Sequence, residues 1–312
     1  MDNPLVTIFV ITYNSSEFIL EALDSVKNQT YHNIELVISD DCSSDNTVPL
    51  CKEWLEKNQN RFIKTVLLTS ERNTGVAPNC NRAIEVSTGR WLKVLAGDDV
   101  LLSDSIENYV NFIQHHPHVK IVFGKLDFFG IEKDLVLSVK DNYEKNCYPL
   151  IKDQNVKKQY RNILKKMYVP GPGLFFNKKL WEEIGGYNEN YSMAEEYPFT
   201  FEILKNRHLI YFLDKNTYGY RVRKDSICHD ENNYSSTIRH NQLHFLDKRW
   251  KELLKKGMIL ELINQYAIIK RYENKFVKRN FFKKFFYDYM ILISPLFLRY
   301  KLKTFLKKDL FK

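Results

Sequence analysis

Trp91-Leu92-Lys93-Val94-Leu95-Ala96-Gly97-Asp98-Asp99-Val100-Leu101 is the stretch around which this chain organises itself. The apolar run from Trp91 to Ala96 has the length of a buried strand, and Gly97 marks its end. Two adjacent carboxylates follow at once. In an open α/β sheet, ligands bind beyond the carboxyl ends of the strands, which is where Asp98 and Asp99 fall. Side-by-side carboxylates repel each other unless positive charge lies beside them. A hard divalent cation carrying a diphosphate meets that need. Mg²⁺ or Mn²⁺ takes one or two carboxylates and completes its shell with phosphate oxygens. A solvated turn with helix-capping Asp residues is the plainer explanation of the pair. The rest of the chain decides between the two.

Upstream, Leu5 to Ile11 is an apolar, β-branched run suited to a strand buried on both faces. Thr12-Tyr13-Asn14-Ser15 breaks it, and Asn14 with Glu17 has the spacing of a capping box. Phe18, Ile19, Ala22, Leu23 and Val26 then recur at helical spacing. A second strand over 34–39 ends in Asp40-Asp41-Cys42-Ser43-Ser44-Asp45-Asn46-Thr47, rich in acceptors and helix caps. A helix over 48–57, a strand over 62–68, the turn Asn73-Thr74-Gly75 and a helix over 78–86 lead to Thr88-Gly89 and the organising strand. Strands alternating with helices of this length predict an α/β fold whose sheet is mostly parallel, with right-handed crossovers. The polar residues after each strand then converge on one rim.

Downstream, the spacing predicts a helix over 103–115 and a strand over 119–123, then strand-like pieces and a polar helix near 155–166. Pro170-Gly171-Pro172-Gly173 reads as a rigid loop before apolar Leu174-Phe175-Phe176. A helix over 178–184 stops at Gly185-Gly186, a C-cap signal. Another opens at Ser192-Met193-Ala194-Glu195-Glu196-Tyr197, and strands near 209–213 and 217–223 close a domain spanning 1–230. From 231 to 312 the pattern is helical and basic.

The charge is unevenly spread. Of 47 Lys/Arg and 38 Asp/Glu in 312 residues, 13 basic and 3 acidic residues lie in 270–312, a net of +10. The remainder is close to neutral, so the basic character belongs to the tail and implies an anionic partner. Aromatics interleave with lysines there, as in Phe281-Phe282-Lys283-Lys284-Phe285-Phe286. The apolar stretch 289–298 is too short to span a bilayer and contains Pro295. A basic helix with Phe and Leu on its other face suits a membrane interface with anionic lipid rather than nucleic acid. The five cysteines show no Cys-x-x-Cys pairing, which argues against a zinc ribbon or disulfide scaffold. With no basic region before the first apolar run, no signal peptide is expected, and a reducing cytoplasm fits both features. The groups His115-His116-x-His118 and His240 with His244 lack the partners of a metal site, and Cys80 reads as a buried thiol.

Across residues 5–225 the ordered set of elements resembles the family 2 inverting glycosyltransferases of GT-A fold, in particular bacterial enzymes of O-antigen and capsule synthesis. The elements are Val10-Ile11-Thr12-Tyr13-Asn14, the 40–47 run, Asn73-Thr74-Gly75, Gly89 before the Asp98-Asp99 strand, Gly185-Gly186-Tyr187, Glu195-Glu196, and Tyr220-Arg221 with Asp225-Ser226. The resemblance implies a metal-dependent transfer from a nucleotide sugar, UDP-linked, to a hydroxyl of a lipid-linked oligosaccharide. It assigns Thr12 and Asp41 to the donor base, Asp98 to ribose and phosphate, and Asp99 to Mn²⁺ or Mg²⁺. It makes Glu196 the catalytic base in place of the family's usual Asp, with Glu195 in support, and offers Arg82 and Arg221 to the diphosphate. The family often has a further Asp two residues before Asp99, where this chain has Gly97. Its Arg-Asn pair after the Asn-x-Gly turn is Cys80-Asn81 here, with Arg82 shifted by one. The expected location is cytoplasmic, peripheral on the inner face of the cell membrane. A sugar-nucleotide nucleotidyltransferase would want a Gly-rich loop with Lys or Arg near the N-terminus, and residues 12–18 hold none. A non-catalytic membrane adaptor would not need intact Asp41, Asp99 and Glu196.

Overall fold

A computed structural model describes residues 3–165, 171–191, 195–224, 251–258 and 261. In chain order the elements are β1 (Val6–Thr12), α1 (Ile19–Lys27), β2 (Ile34–Asp40), α2 (Thr47–Asn58), β3 (Lys64–Thr69), α3 (Val76–Val86), β4 (Trp91–Ala96) and β5 (Val100–Leu101). They continue with α4 (Ser105–His115), β6 (Ile121–Phe129), α5 (Lys133–Asn146), α6 (Tyr148–Ile151), α7 (Val156–Lys165), β7 (Leu174–Asn177), α8 (Lys178–Ile184), α9 (Glu196–Lys205) and β8 (Tyr211–Arg221). Among the described residues eight strands form one sheet, ordered β3-β2-β1-β4-β7-β6-β8-β5.

The first half follows the hydrophobic pattern closely. β1 and β2 are buried almost throughout because helices cover both faces of the sheet. α1 turns Ile19, Ala22, Leu23 and Val26 inward, at helical spacing. The register sets Thr12 of β1 opposite Asp40 of β2, and Ile11 opposite Ala96 of β4. Three parallel strands therefore end level, and the loops after them share one rim.

The second half adds short antiparallel pairings to a sheet whose longer pairings are parallel. β4 pairs antiparallel with β7, β7 with β6, and β5 with β8, while β6 and β8 are parallel. The sheet is mixed. The two strands expected near 209–213 and 217–223 are one strand, β8. Its exposed Asp214, Lys215 and Asn216 sit where the register with β6 shifts. A bulge absorbs these polar residues without breaking the pairing. β6 runs on to Phe129, and α5 occupies sequence that had strand-like pieces.

The capping box at Asn14 and Glu17 does not form. Asn14 takes a left-handed backbone conformation (φ 48°), and α1 starts at Ile19 with no side-chain cap. Asn14 instead joins two loops: its N–H donates to Ser43 Oγ at 2.8 Å, and its Oδ1 accepts the Ser44 N–H at 2.8 Å. Ser15 N–H to Thr47 Oγ1 (2.8 Å) and Ser16 N–H to Asp45 Oδ2 (3.0 Å) complete the link.

The chain divides into two units, Met1–Asn241 and Gln242–Lys312. In the second unit the described residues are 251–258 and 261, with Leu253 buried. The expected basic amphipathic segment, 270–312, lies outside the described residues. Among those described, no helix is long and apolar enough to cross a membrane.

Candidate active site

The rim loops enclose a cavity of about 630 Å³. Of the residues expected to act, Thr12, Asp41, Asp98, Asp99, Glu195, Glu196 and Arg221 line it. Arg82 is not among its lining residues.

Asp41 explains where Arg82 goes. The carboxylate is buried and accepts four hydrogen bonds: Thr74 N–H (2.9 Å), Thr74 Oγ1 (2.7 Å), Gly75 N–H (2.7 Å) and Arg82 Nη2 (2.7 Å). A buried carboxylate needs a counter-charge, and Arg82 supplies it while also donating to Thr74 Oγ1 and Asn79 Oδ1. The 73–75 turn is thus tied to the end of β2. Gly75, at φ 94° before α3, adopts a conformation that side chains disfavour. Thr12 is buried too, and its hydroxyl has no hydrogen-bond partner among the described residues.

Asp98 and Asp99 differ sharply. Asp99 is buried, and both oxygens are occupied: Tyr218 hydroxyl donates to Oδ2 at 2.8 Å, and Arg221 N–H to Oδ1 at 2.7 Å. Burial, with the Asp98 charge adding to it, pushes the Asp99 carboxyl up to about 8. Asp98 is more open, with its side chain one third exposed and Oδ2 3.1 Å from Arg223 Nη2. Arg221 Nε donates to the Asp98 backbone carbonyl at 2.7 Å. Arg221 packs on Phe18 and Phe129 and pairs with Glu21, and Arg223 packs on the Phe18 ring. Asp99, the expected metal ligand, and Asp98 both line the cavity, and Asp98 is the more open of the two.

Glu195 and Glu196 stand at the start of α9. Burial holds both carboxyls above the ordinary range, Glu195 at about 7, and the Glu195 charge raises Glu196 further. A Gly171 N–H bond to Glu196 acts against this. A side chain on Gly171 would stand 2.2 Å from Glu196 Oε1, so only glycine lets this backbone meet the carboxylate. Nearby, Asn81 accepts the Tyr187 N–H (3.0 Å) and donates to the Tyr187 carbonyl (2.9 Å), fixing the segment after Gly186. Buried Cys80 shares the cavity wall, its thiol pushed well up by burial.

Sequence reasoning missed Arg223, Tyr218 and Gly171 as site residues. Arg223 carried a signal, since it stands two residues after Arg221 near a strand end and so shares its side.

The sequence pattern of glycosyl transferase family 2 matches residues 7–184, more than half of the chain. The chain belongs to glycosyl transferase family 2. An uncharacterized glycosyltransferase, MJ1057 of Methanocaldococcus jannaschii, is 22% identical over 80% of this chain and 81% of its own. A shorter match, 30% identical over 43% of this chain and 49% of the relative, is to WfaP of Escherichia coli. That protein is named a UDP-Glc:alpha-D-GlcNAc-diphosphoundecaprenol beta-1,3-glucosyltransferase. Among solved structures, residues 1–349 of TarS from S. aureus in complex with UDP-GlcNAc superpose with a TM-score of 0.61. That match has 19% identity and covers 93% of this chain and 81% of TarS 1–349. The fold is that of the GT-A glycosyltransferases, and this family 2 enzyme is a glycosyltransferase that uses a nucleotide-sugar donor.

Among the described residues, no group of three or more His, Cys, Asp or Glu is set to hold a metal ion. Asp98 and Asp99 both face the cavity, Asp98 with the more exposed carboxylate. One carboxylate plus diphosphate oxygens is a donor set that Mg²⁺ or Mn²⁺ accepts, so the residues fit a cation that arrives with its nucleotide.

Proposed function

We propose that this enzyme is an inverting transferase that moves a sugar from a UDP-linked donor to a hydroxyl of a lipid-linked oligosaccharide. The observation that carries this is one cavity holding both a nucleotide-facing rim (Thr12, Asp41, Asp98) and a carboxylate, Glu196, raised toward base chemistry. The base edge meets Thr12 and the turn that Asp41 organises. Arg221 and Arg223 offer guanidinium groups to the diphosphate, a geometry that phosphate matches. When bound, Mn²⁺ or Mg²⁺ on Asp98 supplies charge compensation for the leaving nucleoside diphosphate.

The ionised Glu196 accepts the proton of the acceptor hydroxyl as that oxygen bonds to the anomeric carbon. The bond from that carbon to the phosphate oxygen breaks, and its electron pair leaves with the nucleoside diphosphate. Attack from the face opposite the leaving group inverts the anomeric centre. Glu195, on the same cavity wall, supports Glu196 by keeping its carboxyl raised.

The test is a panel of nucleotide sugars with product configuration read by NMR, repeated with excess EDTA. UDP release with inverted product, lost in EDTA, is expected. Retained configuration, or full activity in EDTA, overturns the mechanism or the metal.

The lipid-linked acceptor rests on WfaP's name and on the tail's composition. The net charge of +10 over 270–312 draws the enzyme to an anionic cytoplasmic membrane face. Each basic residue near such a surface contributes about 1 kcal/mol. A chain truncated after Tyr272 is expected to hydrolyse donor but to act poorly on lipid-linked acceptor. It should lose salt-sensitive co-sedimentation with anionic vesicles, since charge acts over ~10 Å at 0.1 M salt. Equal vesicle binding by both chains removes the membrane role, and tight nucleic-acid binding instead reassigns the tail.

A further inference from the structure

β4 carries a lysine, Lys93, at its centre, and the side chain is fully buried. Burying an ammonium is costly unless its N–H groups find acceptors. Lys93 Nζ donates to the Pro172 carbonyl and, at 3.2 Å, to the Leu174 carbonyl. The Tyr218 and Tyr109 rings lie 4.9 and 5.4 Å from Nζ, within reach of a cation–π attraction. Tyr109 hydroxyl donates to the carbonyl between those two, Gly173, at 2.7 Å. Three successive carbonyls are thus held by two buried side chains, and Leu174 N–H closes the turn on the Gly171 carbonyl at 2.9 Å.

This turn is the one whose Gly171 N–H bonds Glu196. On its other side the lysine's aromatic neighbour Tyr218 donates to Asp99. Lys93 therefore stands between the carboxylates after β4 and the turn that bonds Glu196. We propose that Lys93 is a positioning residue that fixes the 171–174 turn, and through the Gly171 N–H the Glu196 carboxyl, relative to the Asp98–Asp99 end of the site. This rests on Glu196 being the base. Burial pushes the amine down to about 7, opposed by the Asp99 charge, but a neutral amine still has N–H groups for both carbonyls. The role therefore does not require the charge.

Lys93→Met keeps the volume and removes the donors. A small misplacement of a reacting group costs up to ~10²-fold in rate, so kcat is expected to fall ~10–100-fold with UDP affinity within about threefold. The deciding measurement is a double-mutant cycle with Glu196→Gln, read on turnover of the donor found in the nucleotide-sugar panel. If Lys93 acts through Glu196, Lys93→Met costs less than about threefold in the Glu196→Gln background. Equal costs in both backgrounds, or a loss of UDP binding that matches the loss of kcat, overturns the proposal. Lys93→Gln, whose shorter side chain ends in an amide that still donates, runs the same cycle and is expected to recover part of the rate. Loss of UDP binding by both variants also overturns it, because the lysine then serves the whole domain. Full turnover by Glu196→Gln in an otherwise native chain instead removes the base assignment and is read separately.

Discussion

Two adjacent acidic pairs face the same cavity, Asp98-Asp99 after β4 and Glu195-Glu196 opening α9, and their surroundings differ. The aspartates lie among cations: Arg223 on the Asp98 side chain, Arg221 on its backbone, and Lys93 within electrostatic reach of Asp99. One member is locked by Tyr218 and the Arg221 N–H, leaving the other to meet a ligand. Around the glutamates, among the described residues, no cation pairs with either carboxyl. Burial and mutual repulsion raise both, relieved only in part by backbone N–H bonds. Cations beside a carboxylate suit it to phosphate and metal, whereas dry surroundings suit it to proton transfer near neutral pH.

The comparison breaks most readily at Glu196. Glu196→Gln is expected to lower turnover ~10²–10⁴-fold with little change in donor affinity, measured by steady-state kinetics and UDP titration. A larger loss in Glu195→Gln places the base one residue earlier. Next is the contrast within the aspartates. Asp98→Asn is expected to cost ~10²-fold in kcat/KM and to abolish the response to added Mn²⁺. Asp99→Asn leaves one acceptor for its two donors and should cost about tenfold, with the metal response retained. The reverse order returns the metal to Asp99.

A subtler test uses pH. A base must be ionised, so turnover should rise with pH and inflect well above the ordinary carboxylate range, because burial and the Glu195 charge raise Glu196. Glu195→Gln removes a charge that raises Glu196, so the inflection should move to lower pH. An inflection that stays put shows that the pair is not what titrates. The smallest expected effect is Gly171→Ala. The new methyl meets Glu196 Oε1 and must displace it, costing ~10-fold in turnover with thermal stability nearly unchanged. Unchanged turnover shows that the Gly171 contact does not set the base.

Much of the donor side was legible because its information is local. β1, β2 and β4 are apolar runs that end in polar residues, and parallel strands joined by helices must bring those ends together. The acceptor side was less so. β8 hides a bulge over Asp214-Lys215-Asn216, and α5 uses residues that also suit strands. Glu195 and Glu196 were found through resemblance, since two glutamates at a helix start say nothing by spacing alone.

The sequence by itself determined the α/β class, the position of the rim and the short roster of acidic residues able to act there. Hydrophobic period and strand ends are written along the chain. Only the tertiary structure decided the surroundings of each carboxylate. Arg82 went to Asp41 rather than to the cavity. Tyr218 and Arg221, more than a hundred residues away in sequence, closed over Asp99 and left Asp98 open. A carboxylate's charge state depends on burial and on the partners within a few ångströms, and those partners are chosen by how distant strands pair.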